Sequence, residues 1–186
     1  MRPEERAVAA AADLMALAAR TAPKGKGMDT LEIVVLSKKE TGKLASRLER
    51  LGKERGIGFF LRDAGNLAAA DGCVVIGCRG RETAGINCGG CGYATCARMT
   101  RAAGKRGPAT PFDGPNCVVR MADLGIAIGS AVRTAQIHNV DNRVMYSGGV
   151  AARELGLFSG KCTVAYAIPL AATGKNIFFD REAAKK

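Results

Sequence analysis

The chain has 186 residues, 47% of them apolar, and a formal net charge of +11. This length suits one domain with a full hydrophobic core and is cramped for two, so we predict a single domain over residues 1–186. The charge suggests nucleic-acid binding, but the positive residues are spread from Arg2 to Lys186 and no Trp is present to stack on bases, which argues against it. The start of the chain is charged and the apolar stretch after it is broken by Asp13, so we expect no export signal, no membrane span and a cytoplasmic location.

The first third of the chain alternates between helical and extended patterns. The alanine-rich residues 6–20 predict a helix, and the apolar run 31–36 predicts a buried strand. Ser37 and Glu40 have the spacing of a capping box, in which each side chain binds the backbone N–H of the other residue. They therefore open a second helix, which we expect to end near Gly56.

The rest of the chain continues this alternation, which predicts helices packed over a sheet. In order, we expect a buried strand at 72–77, a short helix at 94–103, a core helix from Cys117 onward, a helix at 141–155 ended by Gly156, and a strand at 163–168. Asn139 or Asp141 is the expected N-cap of the helix at 141–155. His138 precedes that helix and is interpreted as a helix cap, with a proton donor as the alternative.

Three cysteines lie close together among glycines, Cys88, Cys91 and Cys96, and a fourth, Cys117, precedes the core helix. Four thiolates from two separate elements are the donor set of a tetrahedral sulfur site. The chain has seven cysteines and one histidine, so a metal must be held mainly by sulfur. A four-cysteine zinc site is the alternative to an iron–sulfur cluster, but zinc sites more often use two Cys-x-x-Cys pairs and only one occurs here.

The glycines between Cys88 and Cys91 permit a sharp turn, and Cys96 is expected on the first helical turn that follows. Several basic residues lie close in sequence and predict either a solvated basic surface or attraction of an acidic redox partner: Arg79, Arg81, Arg98, Arg101, Lys105 and Arg106. The remaining cysteines, Cys73, Cys78 and Cys162, are expected to be buried, with Cys73 and Cys78 on opposite faces of a strand. Cys78 is the substitute ligand if Cys117 is not used.

Two resemblances add to these expectations. The run Cys88-Gly-Gly-Cys91-Gly-Tyr-Ala-Thr-Cys96 with the later Cys117 resembles the 4Fe-4S domain of corrinoid iron–sulfur proteins and Rnf-type electron-transport subunits. It implies a 4Fe-4S cluster held by Cys88, Cys91, Cys96 and Cys117 within a cluster-binding segment at 82–120. Taken whole, the chain resembles the ferredoxin-domain-containing proteins of the DUF2148 family.

Leu14-Met-Ala-Leu-Ala-Ala-Arg-Thr-Ala-Pro-Lys-Gly25, followed by the strand at 31–36, resembles the start of the nitroreductase fold. This resemblance implies an α/β (α+β) fold with a helix-covered central sheet, into which the cysteine loop is inserted. It also implies a homodimer and an FMN site near Lys24 to Gly27, where Lys24 and Lys26 could hold the phosphate. The Ser and Asn of the nitroreductase motif are missing from this loop.

The leading prediction is a redox protein that binds one 4Fe-4S cluster and passes single electrons to an acidic partner protein, with or without an oxidoreductase activity of its own. One alternative is a non-enzymatic binding module stabilised by a four-cysteine zinc site. Another is a flavin-dependent reductase that receives electrons from the cluster. No Ser-His-Asp, Walker-loop or paired-carboxylate pattern supports hydrolytic chemistry.

Overall fold

A four-stranded antiparallel sheet lies between two layers of helices in the computed structural model, which describes residues 2–102 and 110–179. The strands follow the spatial order β1-β2-β4-β3 and are β1 Leu31–Ser37, β2 Gly72–Cys78, β3 Asp141–Asn142 and β4 Val164–Ala171. The helices are α1 Pro3–Thr21, α2 Lys38–Arg55, α3 Gly58–Ala69, α4 Cys96–Ala102, α5 Val118–Ile137 and α6 Tyr146–Glu154, with a short 3₁₀ turn at Gly25–Gly27. The mixed helix-and-sheet class is as predicted.

Strand β2 is the centre of the sheet, and all seven of its residues are buried. It pairs on both sides, with Leu31 opposite Cys78 on β1 and Val164 opposite Cys78 on β4. The end of β2 therefore meets the start of β1 and the start of β4. Residues 82–102, here called the cysteine segment, follow this end of the sheet.

The two faces of the sheet contact different helices, because successive side chains of a strand point to opposite faces. Val74, Ile76 and Cys78 pack with α1 and α5, whereas Cys73 and Val75 pack with α2, α3 and α6. The prediction that Cys73 and Cys78 point to opposite faces is confirmed. Among the described helices, none is both long and apolar enough to cross a membrane.

Local signals predicted most boundaries well. The capping box is present, with the Ser37 N–H donating to Glu40 Oε2 at 2.8 Å, and Gly56 ends α2 in the left-handed conformation at φ 66°. The short helix predicted at 94–103 is α4, and residue 103 lies outside the described residues. His138 is the C-cap residue of α5, and its N–H donates to backbone carbonyls of the last turn.

The helix predicted at 141–155 begins later than expected. Asp141 and Asn142 form the short edge strand β3, paired with Ala171 and Leu170. Helix α6 starts only at Tyr146, with Met145 as its N-cap, so the prediction of Asn139 or Asp141 as the N-cap was wrong. The sheet offers these residues backbone partners, and this tertiary pairing outweighs the local capping pattern.

Candidate metal centre

The start of α5 is attached to the end of β2 through Gly80. The Cys117 N–H donates to the Gly80 carbonyl at 2.8 Å, and the Gly80 N–H donates to Thr163 Oγ1 at 3.0 Å. A Cβ at position 80 would collide with the side-chain amide of Asn116 and would lie 2.7 Å from Thr163 Oγ1. Gly80 therefore places the backbone of Cys117. Sequence reasoning missed Gly80, although a glycine two residues after a buried strand is a signal of close backbone approach.

The turn that contains Cys88 and Cys91 lies against the first turn of α5. Gly89 and Gly92 have φ angles of 73° and 84°, which side-chain-bearing residues rarely adopt, and the Gly92 N–H closes the turn on the Gly89 carbonyl at 2.9 Å. A Cβ at Gly90 would lie 2.7 Å from Val118 Cγ1 and 3.7 Å from Cys88 Sγ. The glycines between the first two cysteines thus serve both the turn and its contact with the helix.

The sulfur of Cys96 is surrounded by hydrogen-bond donors. The backbone N–H of Asn87 is the main cause that lowers the pKa of Cys96; the Thr83 hydroxyl and the N–H groups of Gly85 and Ile86 act in the same direction, against a smaller effect of burial. A second hydrogen bond joins the same two residues, because the Cys96 N–H donates to Asn87 Oδ1 at 2.8 Å. This loop, rather than the short helix α4 alone, stabilises the thiolate.

Cys117 is the N-cap residue of α5 and is buried with Ala84 and Met99. Cys91 packs against this small cluster, together with Tyr93 and Val119, whereas Cys88 is exposed. The structure therefore brings the cysteine turn and the start of α5 together. Within residues 2–102 and 110–179, no three side chains of His, Cys, Asp or Glu are arranged to hold a metal ion, so the thiols do not form a closed cage. Four free thiols on adjoining segments are nevertheless a donor set that fits an iron–sulfur cluster.

The other three cysteines have a different environment. Cys73, Cys78 and Cys162 are buried, and burial raises their pKa values to about 12, about 11 and about 11. The Cys78 thiol lies 3.6 Å from Thr30 Oγ1 and 3.6 Å from the carbonyl oxygen of Arg120. This burial confirms the expectation for all three cysteines. The contacts of the Cys78 thiol with Thr30 and Arg120 inside the core argue against Cys78 as a substitute ligand.

A buried arginine connects the cysteine segment to the loop after α1. The Arg120 side chain has no exposed surface, and its Nη1 donates to Asp123 Oδ2 at 2.8 Å and to the Gly25 carbonyl at 3.1 Å. Its Nε donates to the carbonyl of Glu82 at 2.8 Å. Sequence reasoning missed this residue. The available signal was a charged residue on the inner face of a core helix.

The loop predicted to hold a flavin phosphate uses its donors internally. Lys24 Nζ donates to three backbone carbonyls near the end of α1, those of Ala19, Arg20 and Ala22, at 3.3, 2.6 and 2.8 Å. The Gly25 N–H donates to Asp123 Oδ1 at 2.7 Å. Lys26 is exposed, but Lys24 does not fit the role of a phosphate ligand.

The fold is that of the nitroreductases. A nitroreductase with bound FMN from Desulfitobacterium hafniense matches 94% of this chain and 81% of its own, at 15% identity and a TM-score of 0.57. An FMN-dependent nitroreductase from Clostridium difficile matches 95% of this chain and 80% of its own, at 17% identity and a TM-score of 0.54. The fold expected from the resemblance is confirmed.

Sequence comparison identifies closer relatives. An uncharacterized protein of Archaeoglobus fulgidus is 43% identical over 171 residues, which are 92% of this chain and 90% of the relative. The model of the family described as "uncharacterized protein containing a ferredoxin domain" matches residues 113–181, which include Cys117 but not the cysteine turn. The chain belongs to this ferredoxin-domain-containing family, DUF2148.

Proposed function

We propose that this protein is an electron carrier that holds one 4Fe-4S cluster through Cys88, Cys91, Cys96 and Cys117. The observation that supports it most is the contact of the cysteine turn with the start of α5, where Gly90 has room for no side chain beside Val118. This contact brings the turn that contains Cys88 and Cys91 to the helix that begins after Cys117. When bound, such a cluster accepts and releases one electron at a time.

The surrounding residues have roles that suit a cluster site. The N–H groups of Gly85, Ile86 and Asn87 around the Cys96 sulfur stabilise negative charge, and hydrogen bonds of this kind raise the reduction potential of a cluster. Ala84 and Met99 are buried next to Cys117 and exclude water from that side. Gly80 holds the Cys117 backbone in place through its carbonyl.

Elemental analysis of protein purified without oxygen tests the proposal. We expect about four iron and about four sulfide per chain, with a brown colour that bleaches on reduction. Colourless protein that contains one zinc per chain would contradict the proposal and support the zinc-stabilised binding module.

Substitution of the cysteines identifies the ligands. We expect each of the four cysteine-to-serine substitutions, at position 88, 91, 96 or 117, to lower the iron content of the purified protein. In each case a weaker oxygen donor replaces a thiolate. Cys162→Ser is the matched control, since Cys162 is buried outside the cysteine segment. Full iron content in Cys117→Ser would remove that residue from the ligand set.

A flavin-dependent reductase is the second candidate function, favoured by the nitroreductase fold and by two similar structures, one of a nitroreductase with bound FMN and one of an FMN-dependent nitroreductase. The engaged donors of Lys24 and Gly25 argue against a phosphate site at that loop. Heating the protein and measuring flavin fluorescence of the supernatant separates the two candidates. A cluster-only carrier releases no flavin, whereas the reductase releases about one FMN per chain.

A further inference from the structure

Two arginines next to the cysteine turn face solvent together. Arg98 and Arg101 are three residues apart on α4, so their side chains lie on one face of the helix, and both residues are exposed. Met99, between them, is buried against Cys117 and Ala84. In the part of the chain that the structure describes, neither arginine forms an ion pair.

The acidic residues of this region are already engaged by other groups. Arg79 Nε donates to Glu82 Oε1 at 2.8 Å, and Arg153 Nη2 donates to Asp113 Oδ2 at 2.8 Å. Residues 83–102 contain no Asp or Glu, and the carboxylates of Glu82 and Asp113 are already paired with other arginines. The positive charges of Arg98 and Arg101 are therefore not neutralised by a neighbouring carboxylate. The surface around the thiols is therefore electropositive.

Arg81 adds a further positive charge near the start of α5. It follows Gly80, whose carbonyl accepts the Cys117 N–H. Its Nε is buried and has no hydrogen-bond partner among the described residues. Because this Nε is buried, Arg81 contributes its positive charge, rather than this donor, to the surface near the cysteines.

We propose that Arg81, Arg98 and Arg101, here called the arginine rim, form the docking surface for an acidic one-electron carrier protein. The inference rests on the proposed function. In the exchange, one electron leaves the reduced cluster and enters the carrier, and no bond forms or breaks and no proton moves. Complementary charge speeds the encounter of the two proteins and fixes their orientation.

A protein suits this surface better than a nucleic acid does. Tyr93 is the aromatic residue of the cysteine segment and is half-buried against Cys117, and the chain contains no Trp. Bases would therefore find few aromatic rings on which to stack near the rim. A carboxylate-rich protein surface needs only the charge and the guanidinium donors.

Two small oxidants, one anionic and one cationic, test the charge of the arginine rim. The dithionite-reduced protein, freed of excess reductant, is mixed with hexacyanoferrate(III) or with tris(phenanthroline)cobalt(III), and cluster oxidation is followed by absorbance. We expect the rate with the anionic oxidant to fall as salt is added, and the Arg98→Glu/Arg101→Glu variant to lower it about tenfold at low ionic strength. The same variant should raise the rate with the cationic oxidant.

The matched control is Arg50→Glu/Arg133→Glu, because both residues are exposed on other helices, α2 and α5. Each double variant exchanges two positive for two negative charges and lowers the formal net charge from +11 to +7. The control should change the rate with the anionic oxidant by less than about twofold. Equal responses in both variants, or rates independent of salt, would overturn the inference.

Three further measurements separate this inference from other outcomes. Iron content and the absorbance of the reduced protein are measured first for every variant, since protein without a cluster contradicts the proposed function and not the rim. Poly-L-glutamate should slow oxidation of the wild-type protein by hexacyanoferrate(III) and have no effect on the Arg98→Glu/Arg101→Glu variant. Tight binding of duplex DNA that is lost in this variant would assign the rim to nucleic acid and overturn the inference.

Discussion

Thiol reactivity differs sharply among the residues of this chain. Cys73, Cys78 and Cys162 are buried with pKa values raised to about 12, about 11 and about 11, so at pH 8 about one thiol in a thousand or fewer is ionised. Cys88 is exposed, and Cys91 and Cys96 are partly exposed. In folded protein without the proposed cluster, iodoacetamide at pH 8 should therefore label Cys88, Cys91 and Cys96. The three buried cysteines of the sheet region should stay unlabelled.

Peptide mass spectrometry after a short labelling pulse measures this difference. The same protein in urea is the control, since unfolding exposes all seven cysteines and should equalise their labelling. Rapid labelling of Cys73 under native conditions would show that the sheet opens locally.

Gly80 is the residue whose replacement should most directly displace Cys117. In Gly80→Ala the added methyl group collides with Asn116 and Thr163, and such overpacking costs about 1–3 kcal/mol. Gly42→Ala is the matched control, because its Cβ would have no neighbour within 4 Å and alanine is the better helix former in α2. Urea unfolding should show a lower free energy of unfolding for Gly80→Ala and an equal or higher one for Gly42→Ala.

At the scale of elements, Arg120 joins α5, the loop after α1 and the cysteine segment. Arg120→Met removes the donors to Asp123, Gly25 and Glu82 and leaves the Asp123 carboxylate buried without its charged partner. Breaking one side of a buried ion pair costs about 3–5 kcal/mol, and we expect a loss of this size in thermal or urea unfolding.

The double variant Arg120→Met/Asp123→Asn distinguishes a lost charge pair from lost packing. Asn at position 123 keeps an acceptor for the Gly25 N–H and carries no charge. The double variant should recover part of the stability lost in Arg120→Met. No recovery would mean that the packing and hydrogen bonds of Arg120, rather than its charge, hold these elements together.

The same element scale shows which features sequence could predict. The capping box of Ser37 and Glu40 and the end of α2 near Gly56 follow from local signals, and both were predicted. Strand β3 was not, because its two residues are extended only through pairing with β4. The cysteine turn was likewise predicted from the spacing of its residues. The contacts that attach it to the rest of the fold were not predicted, because they join residues far apart in sequence: Gly80 and Cys117 are 37 positions apart, and Glu82 and Arg120 are 38 apart.

At the scale of the molecule, the sheet and the cysteine segment are stabilised separately. One apolar cluster packs α2, α3 and α6 on one face, and another packs α1 and α5 on the other; neither contains Cys88, Cys91, Cys96 or Cys117. Cys117 instead belongs to a small third cluster with Ala84 and Met99. The homodimer implied by the nitroreductase resemblance stays a prediction, which sedimentation velocity of the purified protein measures directly.

This separation predicts that the sheet stays folded when the proposed cluster is removed. A chelator applied to reduced protein should leave the far-ultraviolet circular dichroism nearly unchanged, because burial in the two large clusters does not depend on the thiols. Hydrogen exchange should rise in residues 82–102, whose backbone hydrogen bonds are mainly local in sequence, and should stay low in β2. Cooperative loss of protection in β2 along with the cysteine segment would contradict this, and would mean that the metal centre stabilises the whole domain as structural zinc does in small metal-dependent folds.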